Sequence, residues 1–210
     1  MLVVENEVDL DSRYFVPEIT RYLSESEVYV YADEGGQPSL DGVDGVVLSG
    51  STAGVYDREA YPWMDEEMAL VRTLVEREVP TLAVCFGHQL VNAALGGRVE
   101  HRGLTNELVR ADLADDPLFE GVADVVPAVH GDHVVETGEG METIASTPHA
   151  DHFATRHREA PLWTVQYHPE FTHRLLPKIR SDFGWHDNDL TFADVSVEET
   201  LRNFERLATE

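Results

Sequence analysis

Apolar positions in the first half of the chain follow two different periods. Met1 to Val4 is an uninterrupted apolar run, the pattern of a short strand covered on both faces. From Arg13 to Leu23, the residues Phe15, Val16, Ile19, Tyr22 and Leu23 recur at helical spacing. Val28 to Tyr31 is β-rich, and Gly42 to Ser49 predicts another strand that runs into the small-residue loop Gly50-Ser51-Thr52-Ala53-Gly54. Pro62 suits the first turn of a helix, and Trp63, Met64, Met68, Val71, Leu74 and Val75 then form one apolar stripe. After Pro80 the run Thr81-Leu82-Ala83-Val84 predicts a strand ending at Cys85. Leu90, Val91, Ala94 and Leu95 predict the next helix, which stops at Gly96-Gly97.

The second half is richer in strands, predicted over 125–129, 143–146, 152–156 and 162–167. A closing helix over 197–207 carries Leu201, Phe204 and Leu207 on one side. Alternating strands and helices predict an α/β sheet with helices on both faces. The chain has 210 residues and no repeat or long linker, so residues 1–210 are expected to form one domain. An apolar share of 42% excludes a disordered chain. No stretch is apolar enough to span a bilayer, and Met1-Leu2-Val3-Val4-Glu5 lacks the basic region of a signal peptide. A single cysteine makes no intramolecular disulfide, which fits a reducing cytoplasm.

Charge changes the picture in one respect. Forty acidic residues face 15 basic ones, the net charge is −25, and Lys178 is the sole lysine. Such a chain repels nucleic acid and anionic membranes, which excludes both as direct partners. The excess is spread along the whole chain. It resembles the proteomes of extreme halophiles, and a halophilic archaeal source is the expectation. In molar salt the Debye length falls to ~3 Å, which screens the self-repulsion.

The chemistry centres on Cys85. A lone cysteine is by default a small buried hydrophobe, but this one stands where a strand turns sharply into a helix. The first N–H groups of that helix would face the sulfur and favour its thiolate. The serine nucleophile elbow follows the same logic. A thiolate enzyme needs a base and a group that orients it. Val165-Gln166-Tyr167-His168-Pro169-Glu170 supplies both: the strand delivers His168 to the carboxyl edge of the sheet, and Glu170 turns back to the imidazole. Alone, His168 and Glu170 would be ordinary surface groups. His130, Asp132 and His133, with His149, Asp151, His152 and His157, offer imidazole and carboxylate to a metal but lack a tight ligand spacing, and a solvated loop rim is the simpler account. Gly50 and Gly54 lack the lysine of a phosphate loop. Met64, Met68 and Trp163 read as core, and Trp185 as a lid or a partner contact.

These motifs resemble the class I (triad) glutamine amidotransferases. The resemblance rests on Val84-Cys85-Phe86-Gly87-His88-Gln89-Leu90, Leu95-Gly96-Gly97 and Gln166-Tyr167-His168-Pro169-Glu170. Val47-Leu48-Ser49-Gly50 with Val55-Tyr56-Asp57, His130-Gly131-Asp132-His133-Val134 and Phe171-Thr172-His173 resemble the GMP synthase branch of that family. It covers roughly residues 43 to 175, plus Leu201-Arg202-Asn203-Phe204.

The resemblance implies a three-layer α/β/α sandwich with a mainly parallel, flavodoxin-like sheet. It implies that Cys85 attacks the side-chain amide of L-glutamine to form a γ-glutamyl thioester, with His168 moving the protons and Glu170 orienting His168. The backbone N–H groups of Ser51 and Phe86 would form the oxyanion hole, where losing one donor typically costs ~10²–10³ in rate. Gly50, Gln89, Val129, Gly131 and Asp132 would hold the glutamine. No cofactor is implied. The partner would be an ATP-dependent synthetase subunit of the GMP synthase ATP-pyrophosphatase type, taking ammonia into purine biosynthesis.

The chain departs from the family at several points. Ser49-Gly50-Ser51-Thr52 replaces the usual Ser-Gly-Gly-Pro, Ala83 replaces a glycine, and Val129 stands where serine is common. Val3-Val4-Glu5-Asn6-Glu7 lacks the Asp-x-Gly-x-Gln start of GMP synthases, and residues 176–196 form an extra segment. Two further readings follow from these departures: a stand-alone γ-glutamyl hydrolase, and a catalytically silent regulatory homologue.

Overall fold

The two hydrophobic periods resolve into a layered arrangement in the computed structural model, which describes residues 1–210. The first half contains β1 (Leu2–Glu5), α1 (Phe15–Thr20), β2 (Glu27–Val30), α2 (Tyr31–Glu34), β3 (Val46–Leu48), α3 (Trp63–Glu76), β4 (Thr81–Val84) and α4 (Phe86–Ala94). The second half contains β5 (Arg98–Arg110), β6 (Asp112–Leu113), β7 (Val125–Glu136), β8 (Met141–Thr147), β9 (Ala150–His157), β10 (Leu162–Val165), α5 (Leu176–Phe183) and α6 (Glu198–Thr209).

Eight strands form one sheet in the order β2-β1-β3-β4-β10-β9-β8-β6. The five from β2 to β10 are parallel, and β9, β8 and β6 extend the sheet antiparallel. Strands β5 and β7 form a separate antiparallel ribbon. Strand side chains alternate between two cores, as their period of two requires. Leu2, Val4, Val46, Leu48 and Ala83 pack against α3 and α4, while Val3, Val47, Leu82, Val84 and Val165 pack against α1 and α6. A three-layer α/β/α sandwich results, as expected.

The register matters most for the site. Leu2 pairs with Val46, Val46 with Thr81, and Thr81 with Leu162. The strands begin level and are three or four residues long, so their carboxyl ends are level too.

Several elements differ from the sequence expectation. The helix expected over 13–23 is shorter, because Arg13 is drawn away to the Glu7 carbonyl and Asp33; Val16, Ile19 and Leu23 are nonetheless buried. The strand expected over 42–49 pairs only at Val46–Leu48, the length that β1 offers as a partner. The ribbon strand β5 has no signal in the sequence, since Arg98–Arg110 is largely polar and buries only Leu108. Trp185 is buried against Phe171, with ring centroids 5.0 Å apart, and Phe192. Residues 176–196 thus pack through α5 and Trp185 on a small core of their own with Phe15 and Leu108.

Helix α4 approaches β3 closely at Gly87. A Cβ there would lie 2.7 Å from the Leu48 carbonyl oxygen and 3.2 Å from its Cβ. Backbone cannot yield as a side-chain tip can, so Gly87→Ala should lever α4 off the sheet. The expected loss is about 1–3 kcal/mol of unfolding free energy, measured by denaturant titration.

Candidate active site

Cys85 links β4 to α4 with φ 51° and ψ −105°, a conformation that costs a non-glycine residue about 1–3 kcal/mol. The surroundings hold it there. Its N–H donates to Val165 O at 2.9 Å, and its carbonyl accepts from Gln89 N at 3.2 Å. The turn aims Sγ away from the core toward Val129 O, at 3.7 Å. Phe86 opens α4, so its N–H has no partner within the helix.

His168 follows β10, the strand beside β4. Its N–H donates to Pro127 O at 3.2 Å, and Phe171 N closes the next turn onto His168 O at 3.1 Å. That turn brings Glu170 back beneath the ring, where His168 Nδ1 donates to Glu170 Oε1 at 2.7 Å. Glu170 is fully buried and His168 nearly so. Burial opposes a charged ring, but the Glu170 carboxylate, its hydrogen bond to the ring and the nearby Cys85 outweigh it. The ring therefore holds its proton well above the usual imidazole range. The face of Phe15 lies 5.0 Å from the imidazole.

The third component is the loop after β3. Asn6 N donates to Ser49 Oγ at 3.0 Å, and Asn6 Nδ2 donates to Ser49 O at 3.3 Å and to Glu67 Oε1 at 2.9 Å. Glu7 accepts from Thr52 N at 3.0 Å and from Thr52 Oγ1 at 2.5 Å. Between these ties, the N–H groups of Gly50 and Ser51 donate to no group within the chain. A Cβ on Gly50 would lie 3.4 Å from His168 Cε1 and 3.5 Å from Cys85 Cβ, so glycine keeps the floor of the site open.

A cleft of about 480 Å³ unites these parts. Cys85, His168, Gly50, Ser51, Gln89, Val129, Gly131 and Asp132 all line it, while Phe86 and Glu170 sit behind that lining. Gln89 Nε2 donates to Asp132 O and to Gln166 Oε1, both at 3.2 Å. Asp132 Oδ1 meets Tyr56 OH at 3.1 Å and His101 Nδ1 at 2.8 Å. Each residue expected in the triad, the oxyanion hole or the glutamine-binding set is therefore at the cleft or directly behind it.

Other lining residues carry no site signal in the sequence: Glu7, Phe15, His101, Asn106, Asp182 and Phe183. By spacing alone, Phe15 belongs to a helix stripe. Asp182 and Phe183 belong to the extra segment, anchored where Asn106 Nδ2 donates to Phe183 O at 2.7 Å. The departure of residues 3–7 from the family pattern is the one available hint of Glu7.

Residues 11–186 match the family model described as glutamine amidotransferase class-I. The chain belongs to the class-I glutamine amidotransferases. Among curated relatives of this amidotransferase, the GMP synthase [glutamine-hydrolyzing] of Thermotoga sp. (strain RQ2) is 35% identical over 201 residues, 88% of this chain and 38% of the relative. The enzyme of the same description from a Nitratiruptor species is 36% identical over 138 residues, 61% of this chain and 25% of the relative. The amidotransferase thus spans well under half the length of these relatives. A glutamine amidotransferase from Thermotoga maritima superposes with a TM-score of 0.80 at 18% identity, covering 100% of this chain and 98% of that one. A glutamine amido transferase from Methylobacillus flagellatus gives 0.72 at 18% identity, covering 100% and 90%. At that identity the likeness is one of fold.

Buried titratable groups around this amidotransferase site give its stability a defined pH dependence. Burial, with the like charge of a neighbouring histidine, pushes His88 and His130 from 6.5 down to about 3. Unfolded, both would take up protons below 6.5. Their contribution is therefore whole above pH 6.5 and is lost as pH falls toward 3. Burial raises Glu67 from 4.5 to about 8, so its contribution is whole below pH 4.5 and is lost as pH rises through 8. Urea unfolding across pH should show wild type losing ground to Glu67→Gln as pH rises, and to His130→Asn as pH falls below 6.5.

Proposed function

We propose that this amidotransferase hydrolyses L-glutamine through Cys85, His168 and Glu170 and delivers the ammonia to an ATP-dependent synthetase partner, in GMP synthesis. The observation that carries the chemistry is the buried His168 ring, bonded to Glu170 at 2.7 Å and lining one cleft with Cys85. His168 takes the proton of the Cys85 thiol. Cys85 Sγ attacks the amide carbon of glutamine, and the carbonyl electrons move onto oxygen. The unpartnered N–H groups of Ser51 and Phe86 receive that oxyanion. Collapse of the adduct breaks the C–N bond, the leaving nitrogen takes the proton from His168, and ammonia departs. The γ-glutamyl thioester remains. Neutral His168 then takes a proton from water, whose oxygen attacks the thioester. A second collapse releases glutamate, and the departing sulfur takes back a proton from His168. Throughout, Glu170 fixes the ring's tautomer and orientation.

A synthetase partner is supported by the span of the match. These residues correspond to 38% of the Thermotoga GMP synthase, so the acceptor chemistry lies outside them. The acidic, single-lysine composition supports a high-salt cytoplasm as the setting, and assays belong in molar KCl.

Cys85→Ala should abolish glutamate release from glutamine. Glu170→Gln should lower kcat by up to roughly 10⁴ on the pattern of other triad carboxylates. Glutamate release by Cys85→Ala at the wild-type rate would refute the scheme. Adding the ATP-pyrophosphatase synthetase with ATP and XMP should raise hydrolysis severalfold and yield GMP. A rate indifferent to that addition would count against this partner.

A further inference from the structure

Residues 50–54 form no helix or strand, and among them Ser51, whose N–H has no partner within the chain, lines the cleft. A donor serves an oxyanion only if its peptide plane is fixed before the charge develops. Ser49 is fixed to β1, through its N–H to Val4 O at 3.0 Å and through Asn6. Beyond Ser49 the loop leaves the sheet, and Ser51 holds only its own loop, where Ser51 Oγ accepts from Ala53 N at 3.2 Å. Gly54 is bonded onward to Asp57. Two ties reach the loop from outside: Ser49 Oγ donates at 3.0 Å to Gly50 O, the carbonyl of the peptide that carries the Ser51 N–H, and Glu7 takes both the N–H and the hydroxyl of Thr52, on the other side of Ser51.

Glu7 is suited to this. It is 5% exposed, and its Oε1 also accepts from Asp9 N at 2.8 Å, so both carboxylate oxygens are engaged. Arg13 Nε donates to Glu7 O at 3.0 Å, which anchors the residue's backbone. Asn6 and Glu7 thus grip the loop at two points, Ser49 and Thr52, with the two free N–H groups of Gly50 and Ser51 held between them.

We infer that Glu7 is a positioning residue for the oxyanion hole, setting the Ser51 N–H through its paired hydrogen bonds to Thr52. The inference rests on the glutaminase assignment proposed above. Glu7 touches neither sulfur nor imidazole; it acts through the loop. An amide in its place has one acceptor oxygen for two N–H donors, those of Thr52 and Asp9, which weakens the grip without emptying the site.

The test compares wild type, Glu7→Gln, Thr52→Val and the double variant, with Cys85→Ala as a control. Glu7→Gln should lower kcat for glutamine hydrolysis about ten- to a hundredfold with KM little changed. Thermal midpoint and the rate of Cys85 alkylation by iodoacetamide, which needs no oxyanion hole, should stay at wild-type values. The double variant should be no worse than the more damaged single, because both substitutions cut the same tie. Hydrogen exchange should show the Thr52 amide losing protection in Glu7→Gln. Unchanged kcat despite that lost protection would overturn the inference, as would retained protection or fully additive losses. If Cys85→Ala still hydrolyses glutamine, the glutaminase assignment fails instead, and exchange at Thr52 alone then judges the grip.

Discussion

Parallel pairing of β1, β3, β4 and β10 in level register is the constraint on which the site depends. Each strand ends at the same edge, and each hands over one component: Glu7 after β1, the Gly50–Thr52 loop after β3, Cys85 after β4 and His168 after β10. Strand spacing of about 5 Å sets the lateral distance between neighbouring components before any side chain is chosen. The order β2-β1-β3-β4-β10 also reverses direction at β1, where α/β sheets open a crevice at their carboxyl edge. Helices on both faces seal these strands in apolar packing, so the reactive groups sit on a rigid platform.

That platform carries two unfavourable features. Cys85 occupies a backbone conformation that side-chain-bearing residues avoid, and a protonated imidazole with its carboxylate is enclosed away from water. Each is compensated locally. The Cys85 backbone is hydrogen-bonded on both sides, to Val165 and Gln89, and the charges of His168 and Glu170 offset one another at 2.7 Å. A buried pair of this kind contributes little net stability, because desolvation consumes most of the attraction. Its value is geometric: ring and carboxylate have one arrangement available.

Much of this was legible in the chain. Strands covered on both faces announce themselves as apolar runs, and β1, β4 and β10 were recognisable for that reason. Cys85 and His168 were legible because each lies at the end of such a run, with Gly87 or Pro169 marking the turn. Glu7 and Asp182 were not, since an isolated carboxylate has no periodicity and its use depends on neighbours distant in sequence. Strand β5 was invisible because it buries only Leu108 and leaves its charged residues in water. Trp185 was ambiguous because an aromatic residue in a polar stretch looks alike whether it caps a cleft or fills a satellite core.

The ribbon strand β7 meets three parts of the site at once: Pro127 O holds His168 N, Val129 O faces Sγ, and Asp132 O holds Gln89. Base, nucleophile and cleft wall therefore share a single rail. The exposed Leu104 sits at the register shift in the middle of β5, beside Gly131 of β7 and on the rim of the cleft. A load applied at that bulge is transmitted along β7 to all three contacts together. It would carry them as a unit, preserving their mutual spacing while shifting them against the loop that follows β3.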